Sequence, residues 1–260
     1  MSILGNVQRV LQLFADGTDD LSFTEAAAQL DLPRSSASHL LNQMARYGLL
    51  YQHAGTRRYR PGALLGRAAR AAYAATPLDD ACRETLQQLS ACSGLTAYLS
   101  TLNGAETVVL QRLNGDTPVQ VLSSPGSRRA APGTAMGRVL LSRLAPAEIS
   151  ALYGTDPALA LPATGQSGLA DVGALTQCLA QARELRHAMV VDGAMPGIGA
   201  IAAAVRDPRD GELRGLCVSF AAARQGDAAQ TQAWRQLVLE AVGALGRGIG
   251  DPLWLSAGAA

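Results

Sequence analysis

Residues 22–60 contain the sequence feature that most restricts the fold: two short helical segments joined by a tight turn and followed by a hairpin. The first segment, SFTEAAAQL, opens with Ser22 and has Glu25 three residues later, which is the pattern of a capping box. The turn contains Pro33, which the first position of a helix tolerates because its missing N–H would have no partner there. After the second segment, the runs LLYQH and RYR flank the glycine-containing turn AGTR, which predicts a hairpin. This order of elements restricts the region to folds built on a helix-turn-helix.

The second helical segment, RSSASHLLNQMARYG, has one apolar and one polar face. Its apolar residues recur at i, i+3, i+4 and i+7, the spacing of one helical face, at Ala37, Leu40, Leu41 and Met44. A rotation of about 100° per residue directs hydroxyl, imidazole, amide and guanidinium groups to the other side. That polar face contains no acid and consists of Ser35, His39, Asn42, Gln43 and Arg46. Such a face suits a helix that lies in the major groove of DNA and bonds to base edges and phosphates.

Arginine is concentrated in the same region. Seven arginines and no acidic residue lie between Pro33 and Leu78. Residues 1–75 contain eight arginines and five acids, whereas residues 76–260 contain fourteen arginines and sixteen acids. Phosphate contacts supply most of the nonspecific affinity for DNA, so a local basic patch matters more than the net charge of +1. The alternative for such a patch is a solvated helical face, but its coincidence with the helix pair and hairpin favours nucleic-acid binding.

Length and composition predict a cytosolic protein of two domains. With 260 residues, 48% of them hydrophobic, the chain can bury sizeable cores, and no apolar run reaches the ~18–20 residues of a membrane span. The N-terminal segment has no basic region before its apolar residues, so we interpret it as an amphipathic helix and not a signal peptide. The stripe on that helix comprises Ile3, Val7, Val10, Leu11 and Phe14. The cysteines 82, 92, 178 and 217 are widely spaced, and we expect them to be buried, reduced thiols.

The remainder of the chain has the pattern of an α+β domain. The Ala-rich helix ALLGRAARAAYAA follows Pro61-Gly62 and is predicted to connect the domains, and a second helix, LDDACRETLQQLSACSG, ends at Gly94. Three strand-like runs follow (TAYLSTLNG, ETVVLQRLNG and VQVLSSPG), and then a loop-to-helix element, RRAAPGTAMGRVLLSRLAPAEISALYG. A further helix, LADVGALTQCLAQARELRHA, precedes the strand runs IGAIAAAVRD and LRGLCVSF and the closing helix TQAWRQLVLEAVGALGRGI. Helices before and after a meander of strands predict an antiparallel sheet.

Four segments in this order resemble the IclR family of bacterial transcription regulators, and the resemblance extends nearly from end to end. They are EAAAQLDLPRSSASHLLNQMARYGLL, RYRPGALLGRAA, PGTAMGRVLLSRL and DGAMPGIGAIAAAV. The resemblance implies an N-terminal winged helix-turn-helix joined by a linker helix to a GAF-like α/β effector-binding domain. We place these at residues 1–61, 62–76 and 77–260, the last being also the oligomerisation domain. The resemblance further implies a homodimer or homotetramer that binds a (pseudo)palindromic double-stranded DNA operator in response to a small metabolite.

Operator contacts are predicted on the helix-turn-helix and on the hairpin tip. The first turns of a recognition helix normally contact base edges, and a wing can contact the DNA backbone or the minor groove. His39 could equally be a neutral surface group, and for Arg46 a phosphate contact or a surface ion pair is favoured over a base contact. The predicted set is Arg34, Ser35, Ser36, Ser38, His39, Asn42, Arg46, Arg57 and Arg58.

An effector site is implied by the resemblance, because family ligands lie between the sheet and the loop that here spans residues 130–137. Mapping its walls onto this chain gives Val119, Val121, Arg129, Ala135, Met136, Asp192, Ala200, Ala202, Cys217 and Ser219. Arg129 could pair with a carboxylate or lie in solvent, and Met136 could contact a ligand or serve ordinary packing. Backbone N–H groups between Gly133 and Gly137 are a candidate anion site. The chain lacks the family's acid-rich run near Asp192 and has Ala200 and Ala203-Ala204 at positions where the family has Cys and Ala-Pro, which predicts an apolar pocket for a small organic acid, aromatic acids included.

Motifs for enzyme chemistry are weak in this chain, so we expect no catalytic activity, cofactor or metal site. The run Gly197–Ala202 matches a GxGxxA fingerprint, but a strand-like run and a turn follow it where a nucleotide-binding fold requires a helix. GQSGL lies in a loop-like stretch and lacks the spacing of a nucleophile elbow, and the three histidines show no metal-ligand spacing. The remaining alternative is a winged-helix regulator whose C-terminal domain only oligomerises or binds a protein partner.

Overall fold

The structure, a computed structural model, describes residues 2–15, 17–72, 77–116, 123–161, 169–193, 195–223 and 227–256, with the backbone alone at 69–72. The chain divides into two compact units, Met1–Thr76 and Pro77–Ala260. In the described part of the chain, no helix is both long and apolar enough to cross a lipid bilayer.

The N-terminal unit contains short helices and a two-stranded hairpin. Its elements are α1 (Ile3–Ala15), α2 (Phe23–Leu30), α3 (Arg34–Arg46), β1 (Leu50–Gln52), β2 (Tyr59–Pro61) and α4 (Ala63–Ala72). The capping box predicted for α2 is confirmed, since the Ser22 N–H donates to Glu25 Oε2 (2.8 Å) and the Glu25 N–H donates to Ser22 Oγ (3.2 Å). Pro33 is the N-cap of α3, one residue before the position predicted for it.

The apolar face predicted for α3 forms the core of the N-terminal unit. Ala37, Leu40, Leu41 and Met44 are all buried and pack with the buried residues of α2. The stripe predicted on α1 is confirmed for the fully buried Val10 and for the partly buried residues Val7, Leu11 and Phe14. It is wrong for Ile3, which is 77% exposed because it borders an open groove at the first turn of α1.

The C-terminal unit is an α+β domain, as predicted. Its elements are α5 (Pro77–Ser93), β3 (Thr96–Asn103), β4 (Glu106–Leu113), β5 (Arg128–Ala130), α6 (Ala135–Leu141), α7 (Pro146–Tyr153), α8 (Val172–Leu185), β6 (Ala188–Val191), β7 (Ile198–Arg206), β8 (Leu213–Ala221), α9 (Ala228–Ile249) and α10 (Pro252–Leu255). Within the described residues, six strands form one antiparallel sheet in the order β5-β4-β3-β8-β7-β6.

The two faces of the sheet pack against different helices because side chains alternate along each strand. Leu99, Ile201 and Val218 lie in one cluster with buried residues of α5, α9 and α10. Tyr98 and Cys217 lie in a second cluster, with buried residues of α6 and α8. The sheet therefore separates two cores, and the second of them borders the cavity described below.

Several sequence predictions for the C-terminal unit need correction. The strands β5 and β6 were not predicted, and the loop-to-helix element is three pieces: a 3-10 turn at Ala131–Gly133, α6 and α7. The third predicted strand run covers residues 119–126, of which 119–122 lie outside the described residues and 123–126 are not a strand. α8 ends at Leu185, three residues before the predicted end, because Arg186 adopts a left-handed conformation (φ 60°). Cys92 is exposed and Cys178 half-buried, against the prediction of buried thiols, while Cys82 and Cys217 are buried.

Candidate functional site

The polar face predicted for α3 is open to solvent. Arg34, Ser35, Ser36, His39, Asn42 and Arg46 are exposed, and Ser38 is half-buried. Among the described residues, neither Arg34 nor Arg46 forms an ion pair. Ser35, Ser36 and His39 also border a groove of about 630 Å³ between α1 and α3. The helix thus presents hydrogen-bonding groups and two free guanidinium groups on one accessible side.

Asn42, in the middle of this face, accepts a hydrogen bond from a side chain of the hairpin. Tyr59 on β2 is 2% exposed, and its hydroxyl donates to Asn42 Oδ1 at 2.8 Å. Burial raises the pKa of Tyr59 above its usual value, so the phenol keeps its proton at neutral pH. Asn42 was predicted from the sequence as a DNA contact, whereas Tyr59 was not.

The two arginines of the hairpin tip have different surroundings. Arg57 is exposed, has a positive φ of 57° and has no acidic partner among the described residues. Arg58 is half-buried, and its guanidinium bonds to Asp20 (Nε to Oδ1, 2.5 Å) and Glu25 (Nη2 to Oε2, 2.6 Å). Arg60 also reaches Asp20, at 3.4 Å.

Arg58 is therefore less available than Arg57, and its predicted contact with phosphates or a narrow groove stays a prediction. Two carboxylates occupy its guanidinium, which holds the hairpin against the start of α2. The hydrogen bond from Arg58 holds the pKa of Asp20 below its usual value. The pKa of Glu25 is lowered first by the backbone N–H of Ser22 and then by Arg58. Because these acids precede Arg58 by 38 and 33 residues, no local pattern pointed to the pairing.

A cavity of about 100 Å³ lies in the C-terminal unit against the face of the sheet that packs on α6. Six of the predicted effector residues line it: Arg129, Ala135, Met136, Ala200, Cys217 and Ser219. Val119 and Val121 lie outside the described residues, so their predicted role is not placed. Two other residues of the predicted set do not line the cavity.

Asp192 and Ala202 have other positions. Asp192 adopts a positive φ of 56°, and its Oδ1 accepts the N–H of Gly197 at 2.6 Å, so the carboxylate closes the turn between β6 and β7. Ala202 is fully buried in the core, where it pairs with Ala188 and Cys217 on the neighbouring strands. Both residues are close in the chain to residues that line the cavity. The side chain of Asp192 is bonded in the turn, however, and that of Ala202 packs in the core.

Most of the cavity wall was not predicted from the sequence. Gly133 and Thr134 line the cavity and belong to the loop predicted as an anion site, but nine further lining residues were missed: Tyr98, Ser100, Thr107, Val109, Ser123, Val190, Gly193, Met195 and Ile198. Tyr98 lies opposite Cys217 in the register of β3 and β8, so the period-2 alternation of β3 places Tyr98 and Ser100 on the cavity face. The alternation could have been recognised in the sequence. It identifies the cavity face, however, only when the pairing of the strands is known.

Arg129 is the only charged residue among the described residues that line the cavity. Its Nη2 donates to Ser123 Oγ at 3.2 Å and contacts Met195 Sδ at 3.5 Å. Burial raises the pKa of both Tyr98 and Cys217 to about 12, so these two groups are neutral at physiological pH. A guanidinium that forms no ion pair with any described acid, and that is surrounded by neutral polar and apolar groups, can bind an anionic group of a small molecule.

The loop at the start of α6 is less available to a ligand than the sequence suggested. Thr134 is the N-cap, and its Oγ1 accepts the N–H of Gly137 at 2.8 Å. Gly137 is required there because a Cβ would lie 2.0 Å from the carbonyl oxygen of Ala131. The N–H of Thr134 also donates to the carbonyl of Ala131, at 3.2 Å, so two N–H groups of the predicted anion site are occupied by the protein itself.

Both the N-terminal and the C-terminal part of the chain are similar to known proteins. The family model described as "Bacterial transcriptional regulator IclR C-terminal" matches residues 71–247, and the one described as "IclR helix-turn-helix domain" matches residues 4–54. The HTH-type transcriptional regulator XynR of Escherichia coli (strain K12) is 28% identical over 256 residues, covering 97% of this chain and 100% of XynR. The HTH-type transcriptional regulator BhcR of Paracoccus denitrificans (strain Pd 1222) is 27% identical over 229 residues, covering 88% and 81%.

Among solved structures, an IclR homolog from Microbacterium hydrocarbonoxydans, complexed with 4-hydroxybenzoate, superposes with a TM-score of 0.77. The alignment covers 96% of this chain and 99% of the homolog at 20% sequence identity. At that identity the likeness shows a shared fold.

Proposed function

The chain belongs to the IclR family of bacterial transcriptional regulators, and from this premise we propose that it binds a (pseudo)palindromic operator and responds to a small organic acid. The chain is a helix-turn-helix transcriptional regulator with a C-terminal α/β domain. In the proposal it acts in the cytoplasm as a homodimer or homotetramer, with half-sites about one helical turn of DNA apart or a multiple of that distance. The proposal includes no catalytic activity.

The observation that carries this proposal is the exposed, acid-free polar face of α3 beside the exposed tip of the hairpin. Its side chains match the donors and acceptors that contact base edges and phosphates in the major groove. Arg34, Arg46 and Arg57 have no acid partner among the described residues, so their charges are available to phosphates. In the proposal Ser35, Ser36, Ser38, His39 and Asn42 contact bases or phosphates, and Arg58 holds the hairpin in place.

Replacing Arg34 and Arg57 by alanine tests the DNA contacts. Each lost phosphate contact lowers the slope of log affinity against log salt by about 0.9, and the double variant loses two contacts in each of the two half-sites, so we expect it to lose about 3.6 from the slope. The measurement is retention of the DNA upstream of the gene for this chain, at a series of salt concentrations. Arg83→Ala is the matched control, since Arg83 is an exposed arginine of α5 that pairs with Asp80. An unchanged slope in the double variant would remove both residues from the interface.

The lining and the volume of the cavity indicate the class of ligand that we propose. Arg129 suits a carboxylate, and the walls formed by Ala135, Met136 and Ala200 suit an apolar body. The volume of about 100 Å³ is small beside the roughly 300–1,000 Å³ of common ligand clefts, which restricts the ligand to a compact molecule. The related regulator complexed with 4-hydroxybenzoate, an aromatic acid, supports this class.

Replacing Arg129 by leucine is expected to weaken the binding of compact carboxylic acids about tenfold to a hundredfold, because a charge-assisted bond is lost. A panel of small aliphatic and aromatic acids is screened by thermal shift, since a ligand that binds only the folded state raises the melting temperature. The hits are then measured by calorimetry. Arg128→Leu is the matched control, since Arg128 precedes Arg129 on β5 but pairs with Glu106 at 3.1 Å and does not line the cavity. If no acid of the panel shifts the melting temperature, the C-terminal unit is better explained as an oligomerisation or protein-binding domain.

A further inference from the structure

We propose that Tyr59 fixes the Asn42 side-chain amide so that Asn42 presents N–H donors, and not its oxygen, to the DNA. Tyr59 is then a positioning residue that determines base specificity without touching the operator. The inference rests on the proposed DNA binding and adds which base edge Asn42 selects. Two observations support it: the hydrogen bond from the Tyr59 hydroxyl to Asn42 Oδ1, and the backbone bonds and burial that fix the position of Tyr59.

Tyr59 is held rigidly by its backbone and its ring. Its N–H donates to the carbonyl of Leu21 (2.8 Å), and its carbonyl accepts the N–H of Leu21 (2.9 Å). On the other side it pairs with Gln52 in the hairpin ladder. The ring is buried in the core of the N-terminal unit. The ion pairs of the following and preceding residues, Arg60 and Arg58, further attach β2 to Asp20. The hydroxyl therefore occupies a fixed position under α3.

The hydroxyl determines which way the amide faces. It donates to Asn42 Oδ1 at 2.8 Å, and no other acceptor for it is found among the described residues. If the amide were reversed, its NH₂ group would face the hydroxyl, and the hydroxyl hydrogen would lose its acceptor inside the protein, which is costly. The Nδ2 atom is left with a long contact of 3.4 Å to Ser38 Oγ on an exposed surface. One N–H of Asn42 is therefore free to donate to a ligand, and the other is held only by this long bond to Ser38.

A donor-only amide selects among bases in the major groove. Guanine presents two acceptors, N7 and O6, and thymine presents O4, whereas adenine presents an N6 donor next to N7. The usual contact of asparagine with adenine is bidentate and needs the amide oxygen as an acceptor for N6. Since the oxygen of Asn42 is directed to Tyr59, we expect this residue to favour guanine or thymine and to discriminate against adenine.

The test compares full-length variants on a library of randomised DNA duplexes. Asn42→Ala first identifies the operator position that Asn42 contacts, as the position whose base preference disappears. At that position we expect the unmodified protein to prefer guanine or thymine over adenine about tenfold. Tyr59→Phe releases the amide, and we expect the discrimination to fall below about threefold with adenine gaining most. Tyr51→Phe is the matched control, since Tyr51 lies on the adjacent strand β1 with an exposed ring, and it should leave the base preference unchanged.

A second variant keeps the inference testable if Tyr59→Phe folds poorly, which far-UV circular dichroism would reveal. In Asn42→Asp the surface residue presents acceptors only, and the preference is expected to move to cytosine, whose N4 is a donor. A preference for adenine in the unmodified protein, or an unchanged preference in a folded Tyr59→Phe variant, overturns the inference; where Tyr59→Phe does not fold, an unchanged preference in Asn42→Asp overturns it. An equal loss of affinity for every sequence in Asn42→Ala also overturns it, since Asn42 then contacts phosphate, while DNA binding stands. If no variant and not even the unmodified protein retains any duplex in a salt-dependent way, the proposed function itself fails.

Discussion

Replacing Asp251 by alanine is expected to destabilise the C-terminal unit by about 3–5 kcal/mol, the cost of breaking a buried ion pair by removing one partner. Asp251 is 0% exposed, and its Oδ1 accepts from Arg143 Nη2 at 2.6 Å, while the Arg143 side chain is 8% exposed. Without Asp251, the Arg143 charge stays buried and has no acid partner among the described residues. Removing the carboxylate also leaves the N–H groups of Arg206 (2.8 Å) and Leu253 (3.0 Å) without their acceptor.

The carboxylate also organises the end of the chain. Asp251 is the N-cap of α10, and this helix carries Trp254 into the core, where its Nε1–H donates to the carbonyl of Ala204 at 3.0 Å. Asp251→Asn keeps the shape and can still accept hydrogen bonds, so we expect it to lose less stability than Asp251→Ala.

Tryptophan fluorescence during urea unfolding measures the effect of the Asp251 variants on the stability of the C-terminal unit. Both tryptophans of the chain, Trp234 and Trp254, lie in the C-terminal unit, so their signal is insensitive to the N-terminal helices. Asp80→Ala is the matched control, because the pair between Asp80 and Arg83 is solvent-exposed and worth about 0–1 kcal/mol. Equal midpoints for Asp251→Ala and Asp80→Ala would show that the buried pair contributes little to folding.

Local sequence signals predicted the N-terminal unit well. The capping box of Ser22 and Glu25, the apolar face of α3 and the hairpin are each specified by residues within a few positions of one another. The same reasoning did not reveal the ion pairs of Arg58, because its acid partners lie far back in the sequence and only folding brings them to the hairpin. Counting charges along the chain could not distinguish a free arginine such as Arg57 from a paired one.

In the C-terminal unit, the longer elements were predictable and the short ones were not. β3, β7 and β8 have eight or nine residues and show clear apolar runs, whereas β5 and β6 have three and four, too few for a periodic signal. The cavity depends on strand register, which the sequence does not display. Thus Cys217 and Ser219 were identified through the family resemblance, and Tyr98, their neighbour across the sheet, was missed.

The binding of DNA depends on the packing of a small core, and Leu41→Ala is the sharpest test of that dependence. Leu41 is fully buried on α3, and truncating such a leucine costs about 2–5 kcal/mol through lost burial and the cavity left behind. At about 0.05–0.15 kcal/mol per residue, the unit Met1–Thr76 has about 4–11 kcal/mol in total, and we expect its helices to unfold because a unit with so small a core lies near the lower end of that range.

Unfolding confined to the N-terminal unit has a distinctive signature. Far-UV circular dichroism should lose the signal of α1, α2 and α3, and operator retention should vanish, while tryptophan fluorescence and the melting shift with carboxylic acids stay unchanged. Leu4→Ala, a leucine of the same unit that is 79% exposed, is the matched control and should leave all four measurements unaltered. If Leu41→Ala changes the tryptophan signal as well, the two units unfold together, and ligand binding in one can stabilise the other. If the circular dichroism shows that the helices are lost while DNA retention stays intact, the polar face of α3 is not the surface that the operator contacts.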